Sequence, residues 1–174
     1  MITLVLGGAR SGKTRYALSE AQRRAAESRN LVMIATAAAG DDEMSARIAR
    51  HREERGPLWR TIEEPLALPA IVAREASANQ VIVVDCLTLW LTNLMLADED
   101  VEACSDALLQ ALTAPDLDIF LISNEVGLGI VPDNALARRF RDEAGRLHQR
   151  IAATADRVVL VVAGIPMIVK GAQA

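Results

Sequence analysis

The 174-residue chain is 51% hydrophobic, 24% charged and only 3% aromatic, with a net charge of −4 at pH 7. That is enough apolar material for one well-filled core and too much for wholesale disorder. An acidic balance with few rings supplies neither the basic surface nor the stacking platforms that nucleic acids demand, so no nucleic-acid partner is expected.

In chain order, Ile2–Leu6 reads as a buried strand, and Thr14 to about Glu27 as a helix with Ala17, Leu18, Ala21 and Ala25 on one face. Leu31–Ala35 is a second strand. A small-residue loop follows, then a helix from Glu43 to about Arg55, capped by Asp42 and ended by Gly56-Pro57. Pro65 sits where a first helical turn tolerates proline, which predicts a short helix to about Ala76. Val81–Val84 is a third strand, ending on Asp85, and Leu87–Leu96 and Val101–Leu112 read as helices. Ile119–Ile122 makes a fourth strand, Asn134 to Ala155 a long helix, and Val158–Val162 a fifth strand, before a loose tail "KGAQA". Five short apolar strands separated by helices predict an α/β fold with a mostly parallel sheet covered on both faces. No repeat or linker divides the chain, so residues 1–174 are read as one domain.

Cys86 and Cys104 stand in no metal-ligand or C-x-x-C pattern, and both suit the role of small buried apolar side chains. The chain enters a strand-like run directly, so no signal peptide is expected. The apolar stretch 81–96 is broken by Asp85, Thr88, Thr92 and Asn93, and 158–169 is too short to span a bilayer. A cytoplasmic setting without a membrane span is the expectation.

The segment Gly7-Gly8-Ala9-Arg10-Ser11-Gly12-Lys13-Thr14 fits G-x-x-x-x-G-K-[ST] between a strand and a helix. Its glycines let successive N–H groups turn inward toward phosphate oxygens, and the helix N-terminus adds partial positive charge. Lys13 is suited to the β- and γ-phosphates and the Thr14 hydroxyl to Mg²⁺. Asp85, at a strand end where open parallel sheets gather ligand-binding residues, is the natural second Mg²⁺ partner. Its bland alternative is a buried carboxylate capping the next helix.

In "RIARHREER" His51 is flanked by Arg50 and Arg52, and on a helix Arg47 and Arg55 fall one turn to either side. Cationic neighbours keep an imidazole neutral and nucleophilic, able to attack phosphorus. Read alone, the stretch favours a solvated charged face with Glu43, Glu53 and Glu54 as partners. In "SNEVGLGIVPDN" two readings stay open for Glu125: orienting an acceptor hydroxyl or assisting Mg²⁺, or a salt bridge in a tight turn.

Taken together, "GGARSGKT", "IATA", "DDEMSARIARHREER", "WRTIEEP", "VVDCLTLWLTNLM", "SNEVGLGIVPDNALARRFRDEAGRLHQRIA" and "VVAGIP" resemble the bifunctional adenosylcobinamide kinase / adenosylcobinamide-phosphate guanylyltransferase family of cobalamin biosynthesis. The resemblance covers nearly the whole chain. It implies a RecA-like P-loop fold, a trimer, and two reactions. A nucleoside triphosphate, ATP or GTP, phosphorylates the aminopropanol hydroxyl of adenosylcobinamide; GMP from GTP then passes through a guanylylated histidine to that phosphate. The family's histidine falls on His51. Its nucleotide contacts fall on Gly7–Thr14, on Ala35, Thr36 and Ala37, on Arg52, Glu53, Glu54 and Arg55, on Glu63 and on Asp85. His148 departs from the pattern, standing where asparagine is expected; a helix-face histidine satisfied by its neighbours is the favoured account. A kinase without the guanylyl step and a nucleotide-dependent regulatory module are the remaining readings.

Overall fold

The computed structural model describes residues 1–26, 28–37 and 58–172. The helix read over 43–55 lies outside them. Their strands are β1 (Ile2–Gly7), β2 (Asn30–Ala35), β3 (Trp59–Glu63), β4 (Gln80–Asp85), β5 (Ile119–Asn124), β6 (Arg157–Val162) and β7 (Ile165–Lys170). The helices are α1 (Lys13–Ala25), α2 (Leu68–Glu75), α3 (Leu87–Leu96), α4 (Val101–Ala111) and α5 (Ala135–Thr154). The strands form one sheet in the order β3-β2-β4-β5-β1-β6-β7, parallel throughout except for the β6–β7 pair.

Side chains alternate across this sheet because successive Cβ atoms point to opposite faces. Val5, Met33, Val83, Phe120 and Val159 share one core with Ala17, Ala21 and Ala25 of α1. Leu4, Val32, Ile34, Ile82, Val84 and Leu121 share the other with side chains of α2, α3, α4 and α5. The alanine stripe lets α1 approach closely, which brings its N-terminus over the end of β1. On the other face α3 hides Leu87, Trp90, Leu91 and Leu94, each contributing about 1.5–3 kcal/mol by burial. The Trp90 indole N–H donates to the Leu66 carbonyl at 2.8 Å, so its one polar atom is satisfied.

Two strands add to the five read from sequence, and both are edges. β3 pairs with β2 from Leu31–Trp59 to Ala35–Glu63. β7 returns antiparallel to β6 through Ala163 and Gly164, at φ 51° and 79°. Lys170 therefore closes a strand and does not open a loose tail. The short second helix starts at Leu68, so the proline in its first turn is Pro69; Pro65 precedes it. Cys86 is buried and Cys104 half-buried. Among the described residues no helix is long and apolar enough to cross a membrane.

Candidate active site

The parallel strands all end on one edge, and the glycine loop and Asp85 lie there. β1 runs into the glycine loop, whose chain turns at Arg10 (φ 54°) and Gly12 (φ 93°) before α1 begins. No side chain caps α1 and no acidic residue lies in its first turn. No capping side chain competes with an anion at this helix N-terminus, where the helix dipole favours negative charge. The Lys13 ammonium is nearly buried and donates to the Gly8 carbonyl at 3.0 Å. Ser11 Oγ is buried within the loop with no hydrogen-bond partner among the described residues.

The loop is clamped by its neighbours. A Cβ on Gly7 would lie 2.4 Å from Ser11 Oγ and 2.7 Å from the Val161 carbonyl oxygen, so only glycine fits. The Gly164 amide, in the β6–β7 turn, donates to the Ser11 carbonyl at 2.8 Å. A Cβ on Gly8 would meet nothing within 4 Å. The loop is packed beneath Gly7 and open above Gly8.

Asp85 ends β4, two strands from β1, with β5 between. The Thr14 hydroxyl lies 3.4 Å from Asp85 Oδ2, bringing together residues 71 apart in sequence. Mg²⁺ takes oxygen ligands at about 2.0–2.1 Å, which puts adjacent ligands of an octahedron roughly 3 Å apart. A hydroxyl and a carboxylate oxygen at this separation fit two such positions. No group of three or more His, Cys, Asp or Glu side chains suited to a metal occurs among the described residues, so phosphate oxygens and water would complete the shell.

A line of side-chain bonds supports this edge. Thr36 Oγ1 donates to the Cys86 carbonyl at 2.7 Å and accepts from the Cys86 amide at 2.9 Å. Asn93 Nδ2 donates to the Thr36 and Pro65 carbonyls at 2.7 and 3.0 Å. Thr88 Oγ1 contacts Cys86 Sγ at 3.1 Å and accepts from Asn124 Nδ2 at 2.9 Å. Burial, then the neighbouring Asp85 charge, pushes the Cys86 thiol up, so it stays protonated. Asn93, Thr88 and Asn124 were not singled out from sequence. Their signal was only their place inside motifs that follow the ends of β4 and β5.

Of the residues matched by resemblance, Gly7–Thr14, Thr36 and Asp85 meet at this edge. Ala35 ends β2 and Ala37 follows Thr36; Glu63 ends the adjacent edge strand β3 and is exposed. Thr36 is fully buried behind the edge. His51, Arg52, Glu53, Glu54 and Arg55 lie outside the described residues. His148 is buried, its Nε2 2.6 Å from Ser123 Oγ, and burial holds its pKa below the ordinary value against the opposing charge of Glu125. It is a helix-face histidine satisfied by its neighbours. A separate groove of about 590 Å³, lined by residues of α4 and α5 such as Arg139 and Glu143, contains none of these residues.

A parallel sheet with a glycine loop entering an uncapped helix, and an acidic strand end beside the loop's threonine, defines a P-loop nucleotide-binding protein. Solved structures agree on the fold. The ATPase domain of G40P matches with TM-score 0.53 and 14% identity over 91% of this chain and 68% of that one. The flagellar accessory protein FlaH of Methanocaldococcus jannaschii matches with TM-score 0.55 and 12% identity, over 98% and 78%.

A family model described as cobinamide kinase / cobinamide phosphate guanyltransferase matches residues 3–169, and the chain belongs to that family. It is 54% identical to the bifunctional adenosylcobalamin biosynthesis protein CobP of Pseudomonas aeruginosa, over 98% of both chains. It is 40% identical to the bifunctional adenosylcobalamin biosynthesis protein CobU of Escherichia coli K12, over 98% of this chain and 100% of that one. The chain is accordingly an enzyme with the family's two activities, kinase and guanylyltransferase.

Proposed function

We propose that one phosphate site serves both reactions and that His51 carries the guanylyl group in the second. The supporting observation is the 3.4 Å approach of Thr14 Oγ1 to Asp85 Oδ2 beside an uncapped helix N-terminus. In the kinase step Lys13 and the loop amides hold the triphosphate while the aminopropanol hydroxyl of adenosylcobinamide attacks the γ-phosphorus. In the second step a ring nitrogen of His51 attacks the α-phosphorus of GTP, the bond to the β-phosphate breaks, and pyrophosphate leaves. A phosphate oxygen of the cobinamide phosphate then attacks that phosphorus, and the N–P bond breaks with its electron pair returning to the imidazole, giving adenosylcobinamide-GDP.

Thr14 and Asp85 would hold Mg²⁺, which when bound neutralises charge on the phosphate oxygens. Gly7–Thr14, Ala35, Thr36, Ala37, Arg52–Arg55, Glu63 and Asp85 make up the nucleotide site in this reading, and ATP and GTP are both substrates. Residues 1–174 act as one domain, in the cytoplasm. A homotrimer fits the edge strand β7, whose Ile165, Met167 and Val169 are exposed, because an uncovered apolar edge invites pairing.

Phosphorylation of adenosylcobinamide by γ-labelled ATP or GTP tests the site. Thr14→Ala and Asp85→Asn should each lower turnover by at least about a hundredfold. Wild-type turnover in both variants would contradict the assignment.

A further inference from the structure

Residues 125–134 join β5 to α5 without helix or strand, and they begin beside the phosphate loop. Gly7 pairs with Asn124 across the β1–β5 ladder, and the Glu125 amide donates to the Gly7 carbonyl at 3.0 Å. Glu125 thus leaves the sheet between the strand that carries the loop and the strand that ends on Asp85.

The two oxygens of its half-buried carboxylate differ. Oε1 accepts from the Gly127 amide at 2.6 Å, while Oε2 accepts no hydrogen bond among the described residues. One oxygen fixes the side chain and the other is left for an incoming donor.

Beyond Gly127 the surface changes character. Leu128, Ile130 and Val131 are 85%, 98% and 59% exposed, and Leu136, in the first turn of α5, is 57% exposed. Burying such a side chain contributes about 1.5–3 kcal/mol, so a cluster left in water next to a polar site marks a place that something apolar covers. The kinase acceptor combines two such parts: a broad corrin ring that carries methyl groups among its amide side chains, and the aminopropanol hydroxyl on a flexible arm.

We propose that residues 125–136 form the acceptor element of the kinase step, with Leu128, Ile130 and Val131 seating the corrin ring and Glu125 receiving the hydroxyl. The inference rests on the kinase activity described above. The hydroxyl oxygen bonds to the γ-phosphorus as its proton passes to Glu125 Oε2. The bond from the γ-phosphorus to the bridging oxygen breaks, and its electron pair leaves with the nucleoside diphosphate. Continuity with the phosphate loop selects the corrinoid as occupant over a second copy of the chain, because the acceptor must reach the γ-phosphorus from an adjoining surface.

The test compares wild type, Glu125→Gln and the double variant Leu128→Ser/Ile130→Ser, all full length. Steady-state phosphorylation of adenosylcobinamide is measured together with equilibrium dialysis of the corrinoid, nucleotide affinity and solution mass. Glu125→Gln keeps an acceptor for the Gly127 amide and should lower kcat by at least about a hundredfold, with KM for the corrinoid nearly unchanged. The double variant should weaken corrinoid binding about tenfold or more, with nucleotide affinity and mass unchanged. Near-normal kcat in Glu125→Gln overturns the role of the carboxylate. Normal corrinoid binding in the double variant overturns the seat, and an altered mass overturns it by making the loop a subunit interface. A wild type that binds corrinoid on this loop yet transfers no phosphate would contradict the kinase reading alone.

Discussion

The Thr36 hydroxyl spans both backbone polar groups of Cys86, donating to its carbonyl at 2.7 Å and accepting from its amide at 2.9 Å. Both residues are buried, and the Thr36 amide also donates to the Asp85 carbonyl at 3.1 Å. One side chain therefore fixes the backbone directly after the acidic strand end.

Thr36→Val keeps the shape and removes both bonds, leaving the buried Cys86 amide without a partner, while the Cys86 carbonyl keeps the Trp90 amide at 3.1 Å. The expected loss is about 1–3 kcal/mol. Urea unfolding checks it: the midpoint should fall while the slope is unchanged, and an unaltered midpoint would show the bonds to be dispensable.

Adjacent glycines in the loop should respond differently. Gly7→Ala forces a Cβ against the Val161 carbonyl oxygen at 2.7 Å, a backbone atom that cannot swing away, and should destabilise the fold by about 1–3 kcal/mol. Gly8→Ala meets nothing within 4 Å and should leave the melting temperature unchanged. If phosphates lie over Gly8, the added methyl should weaken nucleotide binding by about tenfold or more. Calorimetry and nucleotide titration of the two variants read these effects separately.

A pH dependence follows from His148. Burial, opposed by the Glu125 charge, holds its imidazole below the ordinary value in the folded protein. In the unfolded chain it titrates near about 6.5. As pH falls through that value the unfolded state takes up a proton that the folded state refuses, so stability drops, and the loss ends below the depressed folded pKa. The difference in unfolding free energy between wild type and His148→Asn should be constant above about pH 7 and shrink below about pH 6. A difference independent of pH would contradict the assignment.

What sequence carried and what it hid follow from geometry. β1, β4 and β5 are central strands with long apolar runs, and the phosphate motif is local, so their ends and Asp85 were legible in advance. β3 and β7 are edges. "WRTIE" mixes charge with apolar residues, and "IPMIVK" carries a proline as its second residue and follows an Ala-Gly turn that lacks the usual asparagine or aspartate. The first lacks the continuous apolar run of a doubly covered strand, and the second continues the apolar stretch 158–169 with only that weak turn signal to divide it. The Thr36–Cys86 and Thr88–Asn124 bonds join residues 50 and 36 apart, and nothing local in sequence announces a partner so distant. His51 was singled out by charge and resemblance alone, and lies outside the described residues.

Covalent transfer through that histidine is the central claim, and isotope retention tests it most directly. The protein is incubated with α-labelled GTP and Mg²⁺, denatured, and separated from free nucleotide. Wild type should retain label through a bond that acid breaks and alkali spares, as a phosphoramidate does, and His51→Ala should retain none. Equal label on both proteins, or none on wild type, would contradict it.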